Sequence, residues 1–172
     1  EGSIVRCAGV SDVTLIEEAP MHADVAAARI HRWTRGDWQL LPVLMGARHL
    51  GLRTIHRWKL LDNLRRSLVA PMSLALVLVA MTTQALAPGA AWLLVAAAFG
   101  AGPLLGALAA LAPSRDGLAL THFFSQALTG VWRALLSTAW HLAQLLSQSM
   151  LFADAITRAL YRLLVSRHHL LQ

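Results

Sequence analysis

The stretch that decides the fold is SLVAPMSLALVLVAMTTQALAPGAAWLLVAAAFGAGPLLGALAALAPS, residues 67–114, which holds no Asp, Glu, Lys or Arg. A hydrocarbon core about 30 Å thick takes about 20 apolar residues as a helix. The stretch is long enough for two such helices, with Pro88-Gly89 as the turn between them. The spacing predicts a first span over 68–87 and a second over 91–112. Pro71 falls in the first turn of the first span, where proline costs little. Pro103 is predicted to kink the second, and Gly100, Gly102 and Gly106 to allow close helix approach. Composition agrees with a lipid environment. The 172 residues are 56% hydrophobic and only 14% charged, with a mean hydropathy of +0.53, whereas soluble chains carry about 25% charged residues.

Charge is distributed in blocks around this hairpin. Residues 1–28 carry five acids and one Arg, residues 29–66 nine basic groups and two acids, and residues 115–172 five basic groups and two acids. Both outer flanks are basic and the hairpin turn is uncharged, which places both ends on the cytoplasmic side. A basic block can mark a nucleic-acid binder, but one bordering so long an uncharged run is assigned to a membrane face. Nucleic acid is not an expected partner; membrane lipid is.

Working outward, residues 46–67 form a basic interfacial helix. Arg48, Arg53, Arg57, Lys59, Arg65 and Arg66 lie opposite Leu60, Leu61, Leu64 and Leu68, with Trp58 suited to the headgroup layer. Asp62 and Arg66 are four apart with the acid first, the favourable order. Residues 118–152 carry a polar stripe at helical spacing: His122, Gln126, Thr129, Arg133, Ser137, His141, Gln144 and Gln148. This predicts a long interfacial helix or a broken pair, with a third span over 134–152 as the rival. The tail from 154 onward, with Arg158, Arg162 and Arg167 on a Leu-rich background, predicts a further interfacial helix. Its Tyr161 is read as a packing or anchoring residue.

Ahead of the hairpin, Arg29-Ile30-His31-Arg32-Trp33-Thr34-Arg35-Gly36-Asp37-Trp38-Gln39 gathers three arginines and two indoles. Guanidinium forks suit phosphate oxygens, and indole faces suit the apolar faces of sugar rings. The periodicity of Ala23, Ala26, Ala27, Ile30 and Trp33 predicts a helix from Met21 to near Gly36, followed by a short segment before Pro42. Asp37 is read as a cap or an arginine partner, and His31 as structural. Upstream, a helix closed by Gly9, a short strand over 12–15 and a break at Pro20 read as a piece of an α/β layer. Cys7 is alone, so no intrachain disulfide is possible, and the eight His residues show no metal-ligand spacing. The chain is read as an internal piece of a larger protein.

Arg29-Ile30-His31-Arg32-Trp33, continued by Gly36 and Gln39, resembles the Gln-x-x-Arg-Trp motif of membrane-bound processive glycosyltransferases of the cellulose and hyaluronan synthase type. Arg29 stands where those synthases have Gln. That departure, with Gly36-Asp37-Trp38-Gln39, is similar to the cyclic β-1,2-glucan synthases. Ser11-Asp12-Val13, Glu17-Glu18, Pro20 and the run Arg57-Trp58-Lys59-Leu60-Leu61-Asp62-Asn63-Leu64-Arg65-Arg66-Ser67-Leu68 resemble that family too, as do, less specifically, Asp154, Arg158 and Leu160-Tyr161-Arg162-Leu163.

The resemblance implies a fold: the C-terminal piece of an α/β GT-A-type glycosyltransferase domain, followed by α-helical transmembrane and interfacial helices. The divisions are 1–45 for the catalytic domain's end, 46–67 for the basic helix, 68–112 for the hairpin and 113–172 for the remaining interfacial helices. It also implies an inverting transferase in a bacterial inner membrane that moves glucose from UDP-glucose onto a β-1,2-glucan. Arg29, Arg32, Trp33, Arg35, Gly36 and Trp38 are the implied contacts to diphosphate and acceptor, with Arg32 near the pyrophosphate and Trp33 beneath the acceptor sugar. The general base and the carboxylates that hold Mg or Mn are expected elsewhere in the same polypeptide, so the chain alone should be inactive. Other readings are a synthase of a different polysaccharide and a non-catalytic anchor that binds anionic lipid.

Overall fold

The computed structural model describes residues 21–46, 51–83, 85–109 and 120–166, and among these the regular elements are helical. The strand expected over 12–15 lies outside them, as does the helix ending at Gly9. The elements are α1 (Ala23–Gln39), α2 (Leu41–Met45), α3 (Thr54–Thr83), α4 (Pro88–Ala109), α5 (Leu120–Ala143) and α6 (Leu145–Tyr161), closed by a π-type turn over Arg162–Ser166.

The α1 helix does not stop at Gly36 as its sequence suggests; it runs on to Gln39. A helical glycine costs about 1 kcal/mol relative to Ala, which is not enough to end a helix held by its neighbours. What stops α1 is Pro42, which has no N–H for the Trp38 carbonyl and whose ring would strike it. The proline instead sits in the first turn of α2, where no donor is needed. Leu40 closes α1 by donating its N–H to the Asp37 carbonyl at 3.2 Å. Gly51, at φ 64°, supplies a left-handed turn just ahead of α3.

The basic segment and the first apolar segment are one helix, α3, of 30 residues. Pro71 is therefore interior rather than in a first turn. It withholds a donor from the Ser67 carbonyl but does not end the helix. Pro88 and Gly89 likewise do not form the turn; they are the first two residues of α4, where proline's fixed φ and missing N–H fit. Both α3 and α4 are long and apolar enough to cross a membrane, and only 33% and 22% of their apolar windows are buried. A soluble core helix would bury most of that surface. Here Leu78, Val79, Met81, Leu93, Leu94, Leu105 and Leu108 stay exposed, so their outward faces call for lipid.

The chain divides into two compact units, residues 1–68 with 150–172, and residues 69–149. Within the second, α4 packs along α5. Its core is mostly small side chains: Ala70, Ser73, Ala80, Ala91, Ala127, Ala134 and Ser149 are buried, together with the larger Val77, Val95 and Leu145. Small residues let helix backbones approach where no hydrophobic driving force separates protein from solvent. Gly100 is the tightest point, since a Cβ there would lie 2.9 Å from Thr138 Oγ1. Gly102 and Gly106 face open space among the described residues, so one of the three predicted contact glycines is used here. The Ser149 hydroxyl donates to the Ala70 carbonyl at 2.8 Å, tying α6 to α3.

The polar stripe over 118–152 is carried by two helices, α5 and α6, separated at Gln144. Its members are not idle: the His141 ring stacks on Phe99 at 5.3 Å, and the Gln148 amide nitrogen lies 3.3 Å from His141 Nδ1.

Candidate functional site

The other unit holds the arginine–indole stretch. Positions 30, 33, 34 and 37 recur at spacings of three and four, so Ile30, Trp33, Thr34 and Asp37 share one face of α1. Asn63, Arg66 and Ser67 do the same on α3. Together with Phe152 of α6 they line a cavity of about 390 Å³. Thr34 is 4% exposed, while Trp33 keeps 58% of its surface open. An indole left that open beside carboxylate, amide and hydroxyl groups has the chemistry to suit a ligand with one apolar face and several hydroxyls.

Polar contacts from Trp38, Asp37 and His31 hold α1 in place. Trp38 Nε1 donates to Ser67 Oγ at 2.9 Å, and that hydroxyl in turn donates to the Leu64 carbonyl at 2.8 Å. Asn63 Nδ2 donates to Asp37 Oδ1 at 3.1 Å. His31 Nε2 meets Asp154 Oδ2 at 2.8 Å, and Arg158 Nε donates to Asp154 Oδ1 at 2.8 Å. Among the described residues, the Asp37 side chain takes Asn63 as its partner rather than the cap or arginine expected from the sequence. His31, expected to be structural, is held by Asp154.

Arg158, and after it His31, hydrogen-bond the Asp154 carboxyl and hold it below its ordinary value of 3.8. A carboxyl whose value is lowered on folding contributes stability above its ordinary value and loses it as the pH falls through the lowered one. Asp154→Ala should therefore lower the thermal midpoint at neutral pH. The gap from wild type should close as the pH drops below 3.8, which a melting series across acid pH checks.

The six residues singled out in the sequence occupy different surroundings. The Arg29 guanidinium lies 5.1 Å over the Trp33 ring, a cation–π pair one turn apart. Arg32 is exposed and does not line the cavity, and Arg35 is half-buried. Gly36 is exposed, with nothing among the described residues within 4 Å of an added Cβ. Trp38 is half-buried and directed at Ser67, so it braces the site. Trp38→Phe keeps the ring and removes the bond, and should cost about 0.5–1.5 kcal/mol in chemical unfolding.

Asn63, Ser67, Phe152 and Asp154 were not singled out as site residues, because each enters through tertiary packing. The signal for Asn63 and Ser67 is their spacing of four on α3, repeating that of Trp33 and Asp37 on α1. On α3, Asp62 draws both Arg65, at 2.8 Å, and Arg66, at 3.3 Å, and Arg66 also donates to the Asn63 side-chain oxygen. No three His, Cys, Asp or Glu side chains come together for a cation among the described residues.

No family model matches the chain. Among curated proteins it is similar to the cyclic beta-(1,2)-glucan synthase NdvB of Rhizobium meliloti (strain 1021), at 35% identity over 173 aligned residues. The match covers 100% of this chain and 6% of that protein's length. With two apolar helices beside that homology, this is a membrane protein. Aligned along its whole length, the chain is a homologue of one short segment of a cyclic beta-(1,2)-glucan synthase.

Proposed function

We propose that the chain is an internal part of an inverting membrane glycosyltransferase that moves glucose from UDP-glucose onto a growing β-1,2-glucan. The observation that carries this reading is the open Trp33 indole, set in a cavity with Asp37 and Asn63, in a chain homologous to a segment of a glucan synthase.

In the proposed reaction a hydroxyl of the acceptor glucose attacks C1 of the donor glucose. The bond from C1 to the diphosphate oxygen breaks, UDP leaves with the electron pair, and the hydroxyl proton passes to a base elsewhere in the polypeptide. Trp33 supports the acceptor ring from below, which fixes the attacking hydroxyl and removes orientational freedom before the chemistry. Arg29 holds the indole's orientation through its cation–π contact. Arg32, exposed on the same helix, is free to reach the leaving diphosphate and balance its developing charge, with Arg35 in the same positive field. Gly36 leaves room for a ligand beside α1. Trp38 acts by bracing α1 on Ser67.

The metal that such enzymes use, with its carboxylates, is assigned to residues outside this chain. The protein is placed in a bacterial inner membrane as a multi-pass protein, with Arg29–Gln39 and both flanks cytoplasmic; the basic flanks and uncharged hairpin support this. Membranes carrying the complete protein and radiolabelled UDP-glucose test the reading. Label should enter a glucan that is 2-linked by methylation analysis. A product of other linkage, or incorporation only from another sugar nucleotide, would overturn it.

A further inference from the structure

We infer that α3 carries a second sugar subsite, centred on Trp58, that adjoins the Trp33 cavity and takes a further residue of the same glucan. This rests on the function proposed above. A second cavity of about 360 Å³ is lined by Trp58, Lys59, Asp62, Asn63 and Arg66. Asn63 and Arg66 also line the first cavity, so the two share a wall.

The two cavities repeat one chemistry. Each offers a single indole, 58% exposed at Trp33 and 61% at Trp58, and a single carboxylate, Asp37 or Asp62. Asn63 stands between them, its nitrogen donating to Asp37 and its oxygen accepting from Arg66. A pyranose ring presents an apolar face to an indole and a rim of hydroxyls that donate to carboxylate and amide oxygens and accept from guanidinium.

The pairing of Asp62 favours a neutral polyol over an anionic lipid headgroup as the occupant. Asp62 lines the groove and binds the two arginines that would otherwise attract phosphate, Arg65 at 2.8 Å and Arg66 at 3.3 Å. A phosphate there meets a carboxylate and competes for satisfied guanidinium groups. A neutral polyol meets neither obstacle, and Lys59, the remaining cation of the lining, can donate to its hydroxyls.

The test is titration calorimetry of the complete protein in phosphatidylcholine nanodiscs with linear β-1,2-linked gluco-oligosaccharides. Trp58→Ala should weaken binding of an octasaccharide about fivefold, the size of one ring contact, and leave a disaccharide unchanged. Trp58→Phe should restore the octasaccharide affinity, and Trp33→Ala should weaken both lengths. If Trp58→Ala weakens neither length, or both equally, the second subsite is overturned while the Trp33 reading stands. If it instead weakens binding of phosphatidylglycerol vesicles with glucan affinity unaltered, the groove is a lipid site and the inference fails. If wild type binds no oligosaccharide of either length, the proposed function fails and the subsite with it.

Discussion

Trp33→Ala in the complete protein should lower glucose transfer from UDP-glucose by about a hundredfold or more, while the protein still inserts in the membrane. The indole is 58% exposed and lines the cavity rather than a packed core, so its loss leaves the fold intact. It is the one large flat surface on the α1 side of that cavity. On the proposed reading, an acceptor end would then keep Asp37 and Asn63 for its hydroxyls but have nothing to set the plane of the ring. Misplacing a reacting group by about 1 Å costs about a hundredfold in rate. Trp33→Phe, which keeps a smaller face, should retain a large share of activity. Label incorporation normalised to protein recovered in the membrane fraction checks both. If the basic stretch serves only as a lipid anchor, Trp33→Ala leaves incorporation unchanged.

Gly100→Leu should disrupt the α4–α5 pair and cost about 1–3 kcal/mol or more, the usual penalty for overfilling a packed site. A Cβ at this position already lies 2.9 Å from Thr138 Oγ1 and 3.3 Å from Thr138 Cγ2. Thr138 cannot swing aside freely, because its hydroxyl donates to the Ala134 carbonyl at 2.8 Å. Replacing glycine by leucine inside a helix gains up to about 1 kcal/mol in propensity, which softens the loss without reversing its sign. Gly102→Leu and Gly106→Leu supply the control, since neither position meets any atom of the described residues within 4 Å. They should be neutral or slightly stabilising. Unfolding in bicelles, compared across the three variants, reads the difference.

The same glycines show what a sequence can and cannot carry. The two spans were legible because hydropathy and length are properties of a segment taken alone, and α3 and α4 appear where the uncharged run lies. Which of Gly100, Gly102 and Gly106 meets a neighbour depends on how α5 is rotated against α4, and no local pattern reports that. The start of α1 was legible from its 3.6-residue period. Its end was not, because Gly36 signals a stop but the decisive residue is Pro42, acting through the Trp38 carbonyl. The fusion of the basic and apolar segments into one α3 was hidden by Pro71, which reads as the first turn of a new helix and is accommodated inside an existing one.

For the site, the residue types in Arg29–Gln39 indicated sugar and phosphate chemistry, but not the division of labour among them. Trp33 and Trp38 look alike in sequence, yet Trp33 opens to the cavity while Trp38 is bonded to Ser67. That difference comes from α3, 29 positions away. Phe152 and Asp154 come from a helix more than a hundred residues downstream, and Asp154 reaches His31 across a separation of 123. The resemblance to glucan synthases drew attention to Asp154 and Arg158 as a pattern. Only the packing of α6 beside α1 gives that pattern a physical purpose, which is to hold the helix that carries Trp33.

The most direct test of the central claim, that Trp33 is a platform for the glucan, is a fluorine NMR titration of the fluorotryptophan-labelled chain in nanodiscs. Its six tryptophans are assigned by single Trp→Phe replacements. Adding linear β-1,2-glucan should move the Trp33 resonance in a saturable way and leave Trp92 and Trp140 in place. A Trp33 resonance that stays fixed at saturating glucan would contradict the account.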